Sequence, residues 1–164
     1  MERPLFPYGI SNFDKLVSEN HVYVDRTWAI EHLERLSTSY HIFLRPRRFG
    51  KSLFLSVLEY YYGQEHRDKF ERLFGRYYIG QQPTPRANQY LVLKFDFSAV
   101  LTQKPEQVLS EFTRRVQRQL LTFLLKYDRQ ISKDNLRRVS EARYPQEALD
   151  EALGLVQEYF PGEK

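Results

Sequence analysis

The segment best suited to chemistry is the run R-P-R-R-F-G-K-S, from Arg45 to Ser52, which lies between an apolar stretch and a predicted helix. Phosphate-binding loops follow the pattern G-x-x-x-x-G-K-[S/T] in that context. Gly50, Lys51 and Ser52 match the last three positions, while Arg45 replaces the first glycine. The spacing therefore predicts a loop that holds phosphate groups, and the structural alternative is a basic turn before a buried helix.

Each matching position has its own task in this prediction. Gly50 lets the backbone approach a phosphate because it has no Cβ. The first amides of the following helix point at the anion, and the helix dipole favours negative charge there. Lys51 can reach the β- and γ-phosphates, and the Ser52 hydroxyl can ligate Mg²⁺. These residues predict a nucleotide as ligand and a magnesium ion as its companion.

The remaining loop residues fix the path of the backbone. Because Pro46 follows it, Arg45 is predicted in the β or polyproline region, with its side chain directed away from the phosphates, toward Asp25 or Asp96. Gly50 is predicted in a conformation that only glycine adopts easily. For Arg47 and Arg48, guanidinium contacts to phosphate and plain solvation are both open.

The elements that position the loop are predicted from hydrophobic periodicity. Residues 40–44 form a short apolar run, typical of a buried parallel strand, and residues 90–97 predict a second strand with alternate apolar residues on one face. Helices are predicted over residues 27–36, 51–62, 65–74, 105–127, 133–142 and 145–159. The predicted fold class is α/β, a P-loop NTPase-like parallel sheet flanked by helices, and incomplete.

Composition limits the function classes. The 164 residues suffice for about one domain. The chain has no cysteine, which excludes disulfide scaffolds, thiolate metal sites and cysteine nucleophiles. No stretch approaches the roughly 18 apolar residues of a membrane helix, and the prediction is a cytoplasmic protein without a membrane partner. The net charge of +4 favours anionic partners, nucleotide or nucleic acid.

Four motifs in order along the chain resemble the AAA-ATPase-like family. They are F-P-Y-G-I-S-N-F at residues 6–13, Y-V-D-R-T at 23–27, R-P-R-R-F-G-K-S-L at 45–53 and F-D-F-S at 95–98. In that family the arginine-led loop is the usual form, and Lys commonly stands where this chain has Arg26. The resemblance implies an ATP-binding P-loop domain, usually followed by a nuclease-like domain of the PD-(D/E)XK type.

The resemblance also implies that residues 1–164 are a single P-loop domain, truncated before the Walker B strand. Family members continue into an apolar strand that ends in Asp-Glu-Tyr-Asp, about where this chain stops. The resemblance therefore predicts the N-terminal part of such a protein, with ATP and Mg²⁺ as cofactors. Hydrolysis by this chain alone stays doubtful, because the carboxylates that would organise magnesium and water are missing.

The predicted site joins these residues. Two aspartates retain a structural alternative: Asp25 either braces the nucleotide pocket or caps a helix, and Asp96 either ligates a magnesium-bound water or ends a strand. The nucleotide-binding set is Asp25, Arg47, Arg48, Phe49, Gly50, Lys51, Ser52 and Leu53, and the metal set is Ser52 and Asp96.

A non-enzymatic interaction module on a relic nucleotide-binding fold is the rival hypothesis. In it, an arginine surface contacts nucleic acid, or an exposed core edge contacts a partner chain or a second copy. The arginines that could form that surface are Arg114, Arg115, Arg118, Arg137 and Arg138. Solvated helix faces are the simpler interpretation of these side chains.

Overall fold

The computed structural model describes residues 5–98, 104–128 and 130–162, in two compact units, Met1–Tyr90 and Leu91–Lys164. The first unit contains α1 to α5 and a 3-10 helix, and the second contains α6 to α8. In chain order the elements are α1 Phe13–Ser18, α2 Trp28–Arg35, α3 Lys51–Tyr62, the 3-10 helix Gln64–Lys69, α4 Phe70–Phe74, α5 Tyr78–Gln81, α6 Pro105–Tyr127, α7 Lys133–Glu141 and α8 Pro145–Tyr159.

The helix predictions are confirmed where local signals are strong. α3 begins and ends at the predicted residues, and α6 begins at Pro105, where a missing N–H costs nothing because the first turn leaves it unpaired. The predicted helix over residues 65–74 differs at its start, which is a 3-10 helix before α4 takes over. Within the described residues, no helix has the length and apolar character needed to cross a bilayer.

The predicted parallel sheet is wrong. Over the three described ranges the chain is helical and forms no strand; its β pairing is limited to two isolated bridges, Leu5 with His21 and Gly63 with Tyr90. A strand needs a neighbour to take up its backbone hydrogen bonds. In the described part of the chain, neither residues 40–44 nor residues 91–97 have such a neighbour, and Tyr90 of the predicted strand 90–97 pairs only in its isolated bridge. The α/β P-loop NTPase-like fold is therefore not what these residues form.

The segment 40–44 differs most from its prediction. An apolar run was expected to be buried, yet the exposed fractions are 89% for Tyr40, 84% for Ile42 and 87% for Leu44. Phe43 is the inward-facing member and packs edge-on against Phe54 of α3, with 5.2 Å between ring centroids. Apolar composition alone therefore does not determine burial, because a side chain is buried only where other parts of the fold pack against it.

In the segment 91–97 the predicted strand is wrong, and the predicted apolar face of Leu91, Leu93, Phe95 and Phe97 packs on the core except for Phe97, which is 43% exposed. Leu91, Leu93 and Phe95 pack together against the core of the second unit, as their alternation predicted. The partner, however, is a set of helices: the Val92 N–H donates to the Tyr127 hydroxyl at 2.8 Å. Alternation identified the buried face, and it could not identify the element that covers it.

An aromatic core holds α3 in the first unit. Phe13 of α1, Tyr61 of α3 and Phe74 of α4 are fully buried, with ring centroids 5.2 Å apart for Phe13 and Phe74 and 5.6 Å for Tyr61 and Phe74. The buried Ser56 hydroxyl accepts a hydrogen bond from the Phe13 N–H at 3.0 Å. The second half of α3 is thereby fixed, and its first residues are left exposed.

The second unit has an aliphatic core between three helices. α6 contributes Leu120 and Leu124, α7 contributes Val139, and α8 contributes Ala152 and Leu155, each at most 2% exposed. Burying a Leu or Val side chain contributes roughly 1.5–3 kcal/mol. Of the apolar stripe predicted for α6, Val116, Leu120 and Phe123 are buried in this core, whereas Leu109 is 54% exposed.

Candidate functional site

Two left-handed residues shape the loop that leads into α3. Gly50 is the residue before the helix and has φ +76° and ψ +20°, which confirms the prediction of a glycine conformation. Arg48 also has a positive φ, +66°, whereas Arg45 does not, as predicted. The Phe49 N–H donates to the Pro46 carbonyl at 3.4 Å. Left-handed residues next to right-handed ones turn successive N–H groups toward one side, an arrangement that makes anion-binding concavities.

The start of α3 has no side-chain cap among the residues that the structure describes. The first helical hydrogen bond runs from the Phe54 N–H to the Gly50 carbonyl at 2.9 Å. No side chain caps the helix and its first turn has no acidic residue. The first N–H groups of any α-helix lack partners within the helix, and here they carry the positive end of the dipole toward the loop.

The Lys51 side chain folds back over the loop. Its Nζ donates to the carbonyl oxygens of Arg45 and of Pro46, the latter at 3.4 Å. Among the described residues, no carboxylate pairs with this ammonium group. The positive charge of Lys51 is thus placed at the loop by neutral acceptors and remains available to an anion.

A cavity of about 400 Å³ lies beside the loop, within the first unit. Four of the residues that line it are basic, namely Arg26, Arg45, Arg48 and Lys51, and none of its described lining residues is acidic. The other side chains of the wall are apolar or aromatic. The volume falls within the range of roughly 300–1,000 Å³ typical of ligand pockets, and the charge suits an anionic ligand.

Some of the predicted nucleotide-binding residues line this cavity and others do not. Arg48, Phe49, Gly50, Lys51 and Leu53 line it, together with Arg45, whose side chain was expected to turn away. Arg47 and Ser52 lie in the loop and in the first turn of α3 without being part of the lining. Both are exposed, so a ligand at the helix start remains within reach of the first turn.

Asp25 accepts hydrogen bonds from groups at the starts of two helices, and a direct role at the nucleotide stays a prediction. Its Oδ1 accepts from the Thr27 N–H at 2.8 Å and the Thr27 hydroxyl at 2.7 Å, and its Oδ2 accepts from the Tyr78 N–H at 2.8 Å. The carboxylate therefore ties the start of α2 to the start of α5. Asp25 is not part of the cavity lining, and it positions the neighbouring residues that are.

Asp96 lies in the second unit and is bonded locally. Its Oδ1 accepts from the Ser98 N–H at 2.9 Å, and Arg115 lies 3.9 Å from its Oδ2. The hydrogen bonds from Ser98, followed by the charge of Arg115, lower the pKa of Asp96 below its ordinary value. No group of three or more His, Asp or Glu side chains among the described residues is arranged to hold a metal ion. A metal role for Asp96 stays a prediction.

Sequence reasoning missed Arg26, Trp28 and Tyr23 as lining residues. Tyr23 is held edge-on against Phe13, with ring centroids 5.3 Å apart, and burial followed by the nearby Asp25 charge raises its pKa to about 12. Tyr23 is therefore neutral near pH 7 and does not repel an anion. The motif at residues 23–27 was the available signal, because it pairs an aromatic and a basic residue beside a helix start.

The arginines of the second unit are mostly paired with carboxylates. Arg137 contacts Glu141 at 2.6 Å and Arg138 contacts Glu151 at 2.7 Å. Arg114 pairs with Glu111, and Arg115 is the partner of Asp96. Four of the five arginines considered for a nucleic-acid surface thus have a carboxylate nearby, which weakens the field that such a surface would need.

Comparison with known proteins agrees with the resemblance noted in the sequence. The model of the AAA-ATPase-like family, described as "Predicted AAA-ATPase", matches residues 7–160. An uncharacterized protein in the vnfD 5' region of Azotobacter chroococcum is 45% identical over 69 residues, which is 40% of this chain and 13% of that protein. The matched part is thus a small fraction of that relative's length. No solved structure matches.

Proposed function

This chain belongs to the AAA-ATPase-like family, and we propose from that premise that its cavity binds ATP, with the triphosphate at the start of α3. The observation that carries the proposal is a cavity with four cations and no acidic residue in its described lining, beside an uncapped helix start. Helix N-termini and basic side chains are the groups that bind phosphates in proteins.

Lys51 supplies the strongest single contact in this proposal. Its Nζ now donates to two backbone carbonyls, and on binding it would exchange these neutral acceptors for phosphate oxygens. The lysine donor is charged in both cases, but a phosphate oxygen also carries the opposite charge, so the exchange adds ion-pair attraction to the hydrogen bonds. The exchange is therefore favourable, and it frees the carbonyls of Arg45 and Pro46 to face solvent.

Ser52 fits a magnesium ion that is held mainly by the nucleotide. It is the second residue of α3 and its side chain is exposed. Mg²⁺ usually keeps several water ligands and is bound through one or two carboxylates together with substrate phosphates. The Ser52 hydroxyl would supply one protein ligand, phosphate oxygens and water would supply the others, and the ion would neutralise phosphate charge.

Turnover of ATP by this chain alone is expected to be close to background. Hydrolysis needs a group that orients the attacking water and a carboxylate that organises magnesium, and the described lining of the cavity has no carboxylate. Phosphate release at saturating Mg-ATP measures this directly. A robust rate that disappears in Asp96→Asn would contradict the expectation and assign Asp96 the metal-organising role.

Isothermal titration calorimetry with Mg-ATP tests the binding site. Lys51→Ala is expected to weaken binding by at least about tenfold, which corresponds to roughly 1.4 kcal/mol. The matched control is Lys133→Ala, because Lys133 is also an exposed first residue of a helix and lies outside the cavity. Equal affinities of the two variants, or no binding by the wild type, would refute the proposal.

The rival interaction module has one observation in its favour, the exposed apolar side chains of Tyr40, Ile42 and Leu44. Such a row can pair with another chain, a partner or a second copy. Sedimentation velocity of the wild type and of Ile42→Lys tests it, since association through this segment predicts a concentration-dependent species that the variant lacks. A predicted cytoplasmic location is compatible with either function.

A further inference from the structure

The cavity has more apolar wall than a polyphosphate could use. Its cations are accompanied by aliphatic side chains from three elements and by the aromatic rings of Tyr23, Trp28, Phe43, Phe49 and Phe54. Inorganic polyphosphate would contact only the charged side chains, and the apolar side chains of the wall would stay exposed to water. The lining therefore matches a ligand that joins an anionic chain to a flat, largely apolar group.

Two rings of this wall, those of Trp28 and Phe49, make no ring pairing among the described residues. Phe43 pairs with Phe54 and Tyr23 pairs with Phe13 and Tyr77, whereas no ring pairing involves Trp28 in the described chain. Trp28 is the first residue of α2 and is 54% exposed. Large aromatic surfaces left open in this way are available to stack on a ligand.

Phe49 also has an exposed ring, 62%, but it lies in the loop beside Gly50. A ribose separates the base of a nucleotide from its phosphates, so a ring next to the phosphate contacts is poorly placed for the base. Trp28 lies on a different element of the same cavity, and indole offers the larger stacking surface of the two.

From these observations we infer that Trp28 stacks on the base of the bound nucleotide, and that the cavity accepts adenine and guanine nucleotides nearly equally. The inference rests on the proposed function and deepens it. Stacking is tolerant of sequence because every base has a π-face. Strong selection between bases requires groups that hydrogen-bond their edges. The described lining has no carboxylate, amide or aliphatic hydroxyl side chain, and its arginine and lysine donors are those assigned to the triphosphate.

The test compares Mg-ATP, Mg-GTP and Mg-tripolyphosphate on the full chain. Trp28 is the only tryptophan, so its fluorescence reports the base contact: ATP and GTP should quench it at saturation and tripolyphosphate should not. By calorimetry, Trp28→Ala should weaken ATP binding by about 5- to 150-fold and change tripolyphosphate binding by less than about twofold. ATP and GTP affinities of the wild type should agree within about tenfold.

Three variants serve as comparisons. Trp28→Phe should restore most of the ATP affinity, because it keeps a stacking ring. Tyr40→Ala removes a more exposed ring outside the cavity and should leave ATP binding unchanged. If Phe49→Ala costs ATP affinity and Trp28→Ala does not, the base lies at Phe49 and the inference is overturned.

The outcomes separate this inference from the proposed function. If tripolyphosphate and ATP bind the wild type equally well and Trp28→Ala affects neither, the phosphate site stands and the base contact does not exist. A preference for ATP over GTP of a hundredfold or more would overturn the relaxed selectivity. If neither tripolyphosphate nor ATP binds the wild type, the proposed function fails and the base contact fails with it.

Discussion

The starts of α3 and α7 are built in opposite ways. α7 is capped by its own residues: the Ser132 hydroxyl accepts from the Asn135 N–H at 3.2 Å, and Asp134 places an acid in the first turn. α3 begins after Gly50, which has no side chain, with Lys51 at its first position and no acid in its first turn. In α7, residues of the helix start itself compensate the positive end of the helix dipole. In α3 that end is uncompensated and open to an external anion.

The largest expected effect comes from the backbone at Gly50. Gly50→Ala should lower the free energy of unfolding by about 1–2 kcal/mol, because an L-residue is strained at φ +76°. The added methyl has open space around it, so the loss would be a backbone effect. Urea denaturation followed by circular dichroism measures it.

Gly154→Ala is the matched control for that substitution. Gly154 lies inside α8, has no neighbour within 4 Å of an added Cβ and has no positive φ. Alanine there should raise the free energy of unfolding by about 0.5–1 kcal/mol. Stability changes of the same sign at both positions would contradict the left-handed assignment of Gly50.

The next effect separates the two helix starts through their serines. Ser132→Ala should cost about 1 kcal/mol of stability, because it removes the α7 cap. Ser52→Ala should change stability by less than about 0.5 kcal/mol, and it should weaken binding of Mg-ATP more than binding of metal-free ATP. A stability loss as large for Ser52→Ala as for Ser132→Ala would show that α3 also depends on its own hydroxyl.

The smallest expected effect is a gain at Arg48. Arg48→Gly relieves a positive φ, worth about 1–2 kcal/mol, and adds unfolded-chain entropy that offsets roughly half of it. Stability should therefore rise by about 0.5 kcal/mol, while ATP affinity falls because a cation of the cavity is lost. A variant that is destabilised would mean that Arg48 stabilises the loop through its side chain.

The sequence predicted what local chemistry determines and missed what depends on distant residues. The bounds of α3 and the conformation of Gly50 follow from apolar spacing and from one glycine before a lysine, and both are confirmed. The predicted sheet was wrong because strand pairing is non-local: residues 40–44 have apolar side chains, but no strand lies beside them in the ranges that the structure describes. Arg26 and Trp28 were not predicted as site residues, because the cavity that they line is formed by elements far apart in the sequence.

The positive φ of Arg48 could not be predicted from the sequence either, because among the loop residues only glycine adopts that region easily. Two residues of this loop, Arg48 and Gly50, have a positive φ. Only Gly50 carries a signal for it, because arginine has no preference for that region.

Amide chemical shifts of the isotopically labelled chain test the central claim most directly, because they observe both helix starts in one titration. On addition of Mg-ATP, the amide signals of Gly50, Lys51 and Ser52 should move with a saturable dependence on ligand. The amide of Asn135, which is bonded to the Ser132 hydroxyl, should stay in place. Unchanged signals at the start of α3, or equal movement at the start of α7, would contradict the account of an open phosphate site.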